Sequence, residues 1–460
     1  AGRSGGDGVP GRLADTCCVE GLAITDLEDR RIVATNRSWP ALKIKFLATL
    51  QGGGTPSKDN EAFWSGGDIP WVSPKDMKVR DIYDTEDHIT AEAVAQSATS
   101  WVEPGSPMIV ARSGILRHTI PVAIARTHVT LNQDMKAFKT GKRLHPEFLA
   151  YWIEGQSDDL LLEWRQFGAT VESLDTSRVM NGRLALPDLP TQKRIAAFLD
   201  RETSRIDELI AKKERLVDLL RERGTAAREE LIWGEGPIAK LGHHISILPG
   251  YAFASAGFSD NPEDIRLLRG ANVGVDEVRW DDTVYWPAAD ARSVERFSLQ
   301  SGDLVMGMDR PWISGGIRVA EVQESDLPCL LLQRVCKISP RKTLEARYLK
   351  AMIESKKFVA YFEPILTGVS VPHISGEQIA NFRFSFVGLD EQVRRMNTLE
   401  KITRSIQPIA CATQTSIDRL REYRAALITA AVTGQIDVDT YTKAGTTSAT
   451  LDRIAAEMQA

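Results

Sequence analysis

Acids, bases and nucleophiles occur throughout this 460-residue sequence, so residue types alone would permit many chemistries. Spacing is what fails. Gly141-Lys142 is followed by Arg143 and lacks the upstream glycine of a phosphate-cradling loop. Asn261-Pro262 runs into Glu263-Asp264, where an amino-methyltransferase would place Asn/Asp-Pro-Pro-aromatic around its target base. Of seven histidines, only His243 and His244 are adjacent, and neighbours on a strand point to opposite faces. The five cysteines (Cys17, Cys18, Cys329, Cys336, Cys411) follow no metal-ligand spacing, which predicts reduced thiols, with Cys329 and Cys336 in the core. No spacing sets a nucleophile beside a base and an orienting group. The sequence therefore predicts neither a catalytic centre nor a metal site.

The elements that could position a binding surface come in two copies. Residues 133–234 register without a gap on 333–434. Gln133 meets Gln333, Leu149-Ile153-Glu154 meet Leu349-Ile353-Glu354, Gln192 meets Gln392, and Leu220-Arg221-Glu222 meet Leu420-Arg421-Glu422. A period near 200 far exceeds the roughly 20–50 residues of a solenoid repeat, and implies a duplicated domain-plus-helix module. Within each module, turn punctuation such as Gly52-Gly53-Gly54-Thr55-Pro56-Ser57 and Gly105-Ser106-Pro107 alternates with strand-like runs. Helices are predicted at Pro146–Leu162 and Leu344–Phe362. Each module reads as mixed α+β.

Residues 191–235 change character, with ten basic and ten acidic residues and apolar positions on a four-three spacing at Ile195, Leu199, Ile206, Leu209, Leu216 and Leu220. The second copy gives Leu399, Ile402, Ile406, Ile409, Leu420, Tyr423 and Leu427. That is a heptad pattern, and about 42 residues make a rod of roughly 60 Å. Two such helices in one chain are expected to pack as an antiparallel coiled coil. The division reads as a poorly ordered extension (1–37), an α+β module (38–190), a long helix (191–235), a second module (236–388), a second helix (389–434) and a tail (435–460) with a short helix at Leu451–Met458.

Charge gives no guidance on partners: the net value is −5, and residues 40–190 hold 16 basic against 19 acidic side chains. No apolar run reaches the roughly 18–20 residues of a membrane span, and no leader opens the chain, which points to the cytoplasm.

The helices carry a resemblance. Leu189-Pro190-Thr191-Gln192-Lys193-Arg194-Ile195 with Arg205-Ile206-Asp207-Glu208-Leu209, and Ile417-Asp418-Arg419-Leu420-Arg421-Glu422-Tyr423 with Ala431-Val432-Thr433-Gly434, resemble the conserved regions of type I restriction–modification specificity subunits. Gly53-Gly54-Thr55-Pro56-Ser57, Gly250-Tyr251-Ala252-Phe253 and Thr367-Gly368-Val369-Ser370-Val371-Pro372-His373-Ile374 resemble parts of that family's target-recognition domains. The first copy departs from the last motif at Gly168-Ala169-Thr170-Val171-Glu172-Ser173-Leu174. The resemblance implies a subunit without chemistry of its own. Two target-recognition domains would each read half of a split, asymmetric site in double-stranded DNA. The helices would fix the spacer and dock two modification (methyltransferase) subunits carrying S-adenosylmethionine, with restriction (motor/nuclease) subunits joining them.

On that reading, base and phosphate contacts need cations or amides on loops. The candidates are Lys58, Lys75, Arg112, Arg117 and His118 in the first module, and Arg266, Arg269, Asn272, Arg310 and Trp312 in the second. Arg269-Gly270-Ala271-Asn272 stands out, because glycine permits close approach and Arg and Asn make common purine contacts. Trp64, Trp71, Trp280 and Trp286 are expected in the core. Leu199, Ile206, Leu220, Leu399, Ile406 and Leu420 are expected to pack the helices. Two other readings fit the sequence: the specificity subunit of a related system that cuts on both sides of its site, and a protein-binding scaffold that touches no DNA.

Overall fold

The structure, a computed structural model, describes residues 39–166, 171–313, 315–366, 372–439 and 441. The expected N-terminal extension, Gly168-Ala169-Thr170, Thr367 to Val371 and the short tail helix lie outside the described residues. The chain divides into two compact units, residues 1–215 with 412–460, and residues 216–411. This differs from the linear division expected from the sequence, because each unit takes an α+β module together with part of both long helices.

The first unit is built on a five-stranded sheet, ordered Ala48–Gly52, Met135–Thr140, Pro107–Val110, Val122–Ala125 and Asp81–Ile82. A four-stranded sheet (His88–Ile89, Ile69–Val72, Val129–Leu131, Trp101–Val102) adjoins it. Met108, Ile109, Val110, Ala123 and Ile124 are fully or almost fully buried, so the central strands read as apolar runs covered on both faces. The expected single helix from Pro146 is two, Pro146–Gly155 and Ser157–Trp164. The break falls where the Gly155 carbonyl accepts the Thr429 hydroxyl at 2.6 Å and a Cβ on Gly155 would press on Ile428.

The second unit repeats the plan. Its four-stranded sheet runs Ile245–Pro249, Val335–Pro340, Leu304–Gly307 and Val319–Glu321, and a three-stranded sheet is formed by Tyr285–Trp286, Ile265–Leu268 and Cys329–Leu331. Ala346–Ile353 and Lys356–Leu366 again replace one expected helix, broken at the buried Ser355, whose hydroxyl accepts the Phe358 N–H. Cys329 and Cys336 are buried, and burial pushes both thiols up to about 12.

The long helices span Leu189–Ile232 and Leu389–Val432. A fully buried glutamine roots each. Gln192 accepts the His145 N–H at 2.8 Å and donates to the carbonyls of Arg143 and Pro187. Gln392 does the same for Glu345, Thr343 and Val387. In the first unit the helices run antiparallel: Asp207 pairs with Arg424 and Glu214 with Arg421. In the second, Arg395 donates to the Leu231 carbonyl.

The seam differs from the expected stripe by one position. Leu199, Thr203, Ile206, Ile210, Val217 and Leu220 are buried, whereas Leu209 and Leu216 are 40% and 42% exposed. On the second helix Ile406, Thr413, Ile417, Leu420 and Leu427 are buried, Leu399 packs against the core, and Ile409 is 51% exposed. The expected stripe holds at Ile195, Leu199, Ile206 and Leu220 and slips by one residue only at Leu209 and Leu216, where Ile210 and Val217 are buried instead.

Candidate nucleic-acid interface

In the first unit, the strand Pro107–Val110 ends in a loop carrying Arg112, a Ser113-capped 3-10 turn (Gly114–Arg117) and His118. Two hydrogen bonds fix this corner: Ala111 N–H to the Asp134 carbonyl at 2.7 Å, and Leu174 N–H to the Ala111 carbonyl at 2.8 Å. Arg112 donates through Nε to Asp134 at 2.7 Å. Arg117 lies 3.6 Å from Glu172, which Arg165 also engages, and His118 is exposed. Arg112, Arg117 and His118 therefore share one surface. Lys58 is exposed on the glycine-rich loop, and Lys75 lies within ion-pair reach of Glu86 and Asp87 on another loop.

That loop approaches the sheet closely. A Cβ on Gly53 would come within 2.2 Å of the Leu131 and Asn132 carbonyl oxygens, and one on Gly250 within 2.1 Å of the Leu332 carbonyl. Only glycine fits at either position. Both loops thus lie against the turn that carries Gln133 and Asp134, or Gln333 and Arg334.

In the second unit most sequence candidates are internal braces. Asn272 is buried; its Oδ1 accepts the Arg269 N–H, and its Nδ2 donates to the Arg279 and Asp282 carbonyls. Arg269 pairs with Asp282 at 2.7 Å, and Arg266 lies over the Trp280 ring while donating to the Ser325 and Leu327 carbonyls. The expected purine-reading segment therefore forms a loop staple, with the Asn272 amide spent on backbone groups and the Arg269 side chain, 24% exposed, turned to Asp282. Trp312 is half-buried and packs against the core. Arg310 remains exposed, at φ 43°, its N–H bonded to the Pro372 carbonyl. As expected, Trp71 is buried with Trp64 edge-on to it at 5.1 Å, and Trp286 packs on Phe253.

Beside Arg310 lies a cluster that sequence reasoning missed. Asp309 accepts from Arg334 at 3.0 Å and from His373 Nδ1 at 2.6 Å. The signal was available only after shifting the repeat. The strands pair Val110 with Met135 and Gly307 with Val335, so the earlier strands correspond at an offset of 197 and the later ones at 200. An ungapped offset of 200 sets Arg112 against Trp312 and hides Asp309.

Ion pairs tie the modules to the helices. Glu154 accepts from Arg80 at 2.9 Å and from Arg424 at 2.7 Å. Burial alone would lower the Arg424 pKa, but Glu154 and Asp207 raise it. In the second unit Glu354 faces Arg228 at 3.2 Å; burial raises its pKa against the opposing pull of Arg228 and Lys350. Among the described residues, no three His, Cys, Asp or Glu side chains gather as a metal site, and no helix is long and apolar enough to cross a membrane.

Comparison with known proteins gives this arrangement relatives. A solved chain from work on complex assembly and conformational transition of the type I R-M system superposes with a TM-score of 0.67 at 16% identity, covering 88% of this chain and 100% of that one, a likeness of fold. The Escherichia coli type I restriction enzyme EcoR124I/EcoR124II specificity subunit is 38% identical over 150 residues, 33% of this chain and 37% of the relative. The Escherichia coli EcoAI specificity subunit is 31% identical over 194 residues, 42% of this chain and 32% of the relative. The matches thus span about a third of these relatives' lengths. Residues 36–217 match the family model described as the type I restriction modification DNA specificity domain.

Proposed function

We propose that this chain is the sequence-reading subunit of a type I restriction–modification complex and performs no chemistry itself. Each α+β module reads one half of a bipartite, asymmetric site in duplex DNA. The long helices set the unread spacer and dock two modification subunits, which carry S-adenosylmethionine for adenine methylation. Restriction subunits join that assembly. The observation that carries the reading is the duplication itself: two modules, each closed by the same buried glutamine at the root of a long helix, suit a target with two separated halves. Exposed cations on loops, among them Arg112, Arg117 and Arg310, supply the phosphate and base donors that such reading needs. Docking on the helices is supported by Leu209 in the first unit and Leu216 and Leu219 in the second, which stay exposed.

The test is a gel shift on mixed genomic fragments, with the chain co-expressed with its cognate modification subunit. Sequence-selective retention is expected. Absence of binding would favour a protein-binding scaffold, and binding without selectivity would overturn the sequence-reading role. Methyl transfer by the purified chain alone, incubated with S-adenosylmethionine and DNA, would overturn the non-catalytic assignment.

A further inference from the structure

The two modules carry the same corner with its charges transposed. In the first unit Ala111 N–H bonds the Asp134 carbonyl and Leu174 N–H bonds the Ala111 carbonyl; in the second, Met308 N–H bonds the Arg334 carbonyl and Ile374 N–H bonds the Met308 carbonyl. The isolated bridges agree, Arg112 facing Ser173 and Asp309 facing His373. Arg112 therefore occupies the place of Asp309, and Asp134 that of Arg334. One corner reads arginine then aspartate across the two strands, the other aspartate then arginine.

In both corners the acid is the sheltered member. Asp134 and Asp309 are 21% and 19% exposed, against 54% for Arg112 and 67% for Arg334. Arg112 spends only Nε on its partner and Arg334 only Nη1, which leaves each guanidinium two further nitrogens directed to neither partner oxygen. An exposed ion pair contributes little to stability, about 0–1 kcal/mol, so stability does not account for building this one twice. A tethered guanidinium with two spare donors does suit the O6 and N7 acceptors of guanine in the major groove. Transposing the pair moves the arginine's attachment point from one chain segment to its neighbour, by about 5 Å, the spacing of adjacent strands that these segments extend. That exceeds one base step of about 3.4 Å.

We propose that this corner is a base-reading position in each module, that Arg112 and Arg334 each contact a guanine edge, and that the transposition makes one repeated frame read two different half-sites. Exposed neighbours supply phosphate contacts: Arg117 and His118 in one unit, Arg310 and His373 in the other. The proposal rests on the DNA-reading function given above and assigns it to particular side chains.

The experiment maps methylated adenines genome-wide in cells expressing the full chain with its modification subunit, for wild type, R112Q, R334Q and the transposed double variant R112D/D134R. Wild type is expected to mark one bipartite sequence. R112Q should weaken discrimination at one guanine of one half-site by about tenfold or more, leaving the other half-site and spacer unchanged, and R334Q should do the same in the other half. The double variant retains an ion pair, which guards against a mere folding defect, and should move the read position within its half-site. Unchanged half-sites in all three variants, or a uniform loss of methylation at every site with the fold intact by circular dichroism, would overturn the proposal while the DNA-reading function stands. A wild type that marks no defined sequence would overturn the function itself.

Discussion

At the scale of single residues, buried polar side chains specify the module–helix junctions more sharply than apolar ones. Gln192 satisfies one backbone N–H and two carbonyls through a single amide. Replacing it with leucine keeps the bulk but leaves all three groups without their partner. Gln192→Leu should therefore cost about 2–4 kcal/mol in chemical denaturation, and Gln392→Leu a similar amount. A loss under about 0.5 kcal/mol for both would show that water reaches these junctions. His244 brings pH into the second unit. It stacks on Phe386 at 4.6 Å and bonds Thr343 at 2.8 Å; burial lowers its pKa, and His243 and Arg341 add to the shift. A histidine depressed in the folded state favours folding above its unfolded value of 6.5, and that contribution is lost as pH falls through the lowered value. Melting curves between pH 7.5 and 5 should show wild type losing more stability than His244→Gln. Parallel losses in the two proteins would refute this.

At the scale of elements, both long helices and the duplication were legible in the sequence, because heptad spacing and a gapless register are local properties that survive without coordinates. The phase of the seam was legible at Leu199, Ile206 and Leu220 but not between them. Leu209 and Ile210 are both apolar and one residue apart, and only contact with the opposing helix chooses Ile210. Ile210→Ala should accordingly cost about 2–4 kcal/mol, and Leu209→Ala should stay within about 0.5 kcal/mol. Equal effects in urea titrations would mean that the sequence-derived stripe was right after all. Site residues were less legible for a related reason. Arg269-Gly270-Ala271-Asn272 has the composition of a reader, yet Asn272 is buried by a loop that folds back through Arg279 and Asp282. The Arg334–Asp309 pair joins positions 25 residues apart, one in the turn before a strand and one just past the end of another, which no local pattern reveals.

At the scale of the whole molecule, the proposed function makes helix length a coding parameter. A sequence of module, helix, module, helix can assign base identity to the modules and spacing to the helices only if the two are mechanically separable. The seam permits that separation, since its heptad positions repeat every seven residues and an equal deletion from both helices restores the register of apolar against apolar. Removing seven residues from one helix alone would misalign it, because Asp207 and Glu214 pair with Arg424 and Arg421 in antiparallel order. Removing one heptad from each shortens the rod by about 10 Å, equivalent to roughly three base pairs of duplex. The double deletion should therefore mark sites whose spacer is shorter by about that number, with both half-site sequences intact, as read by mapping methylated adenines. Half-sites that change along with the spacer would mean that the helices take part in base reading, and the division of labour between module and helix would fail.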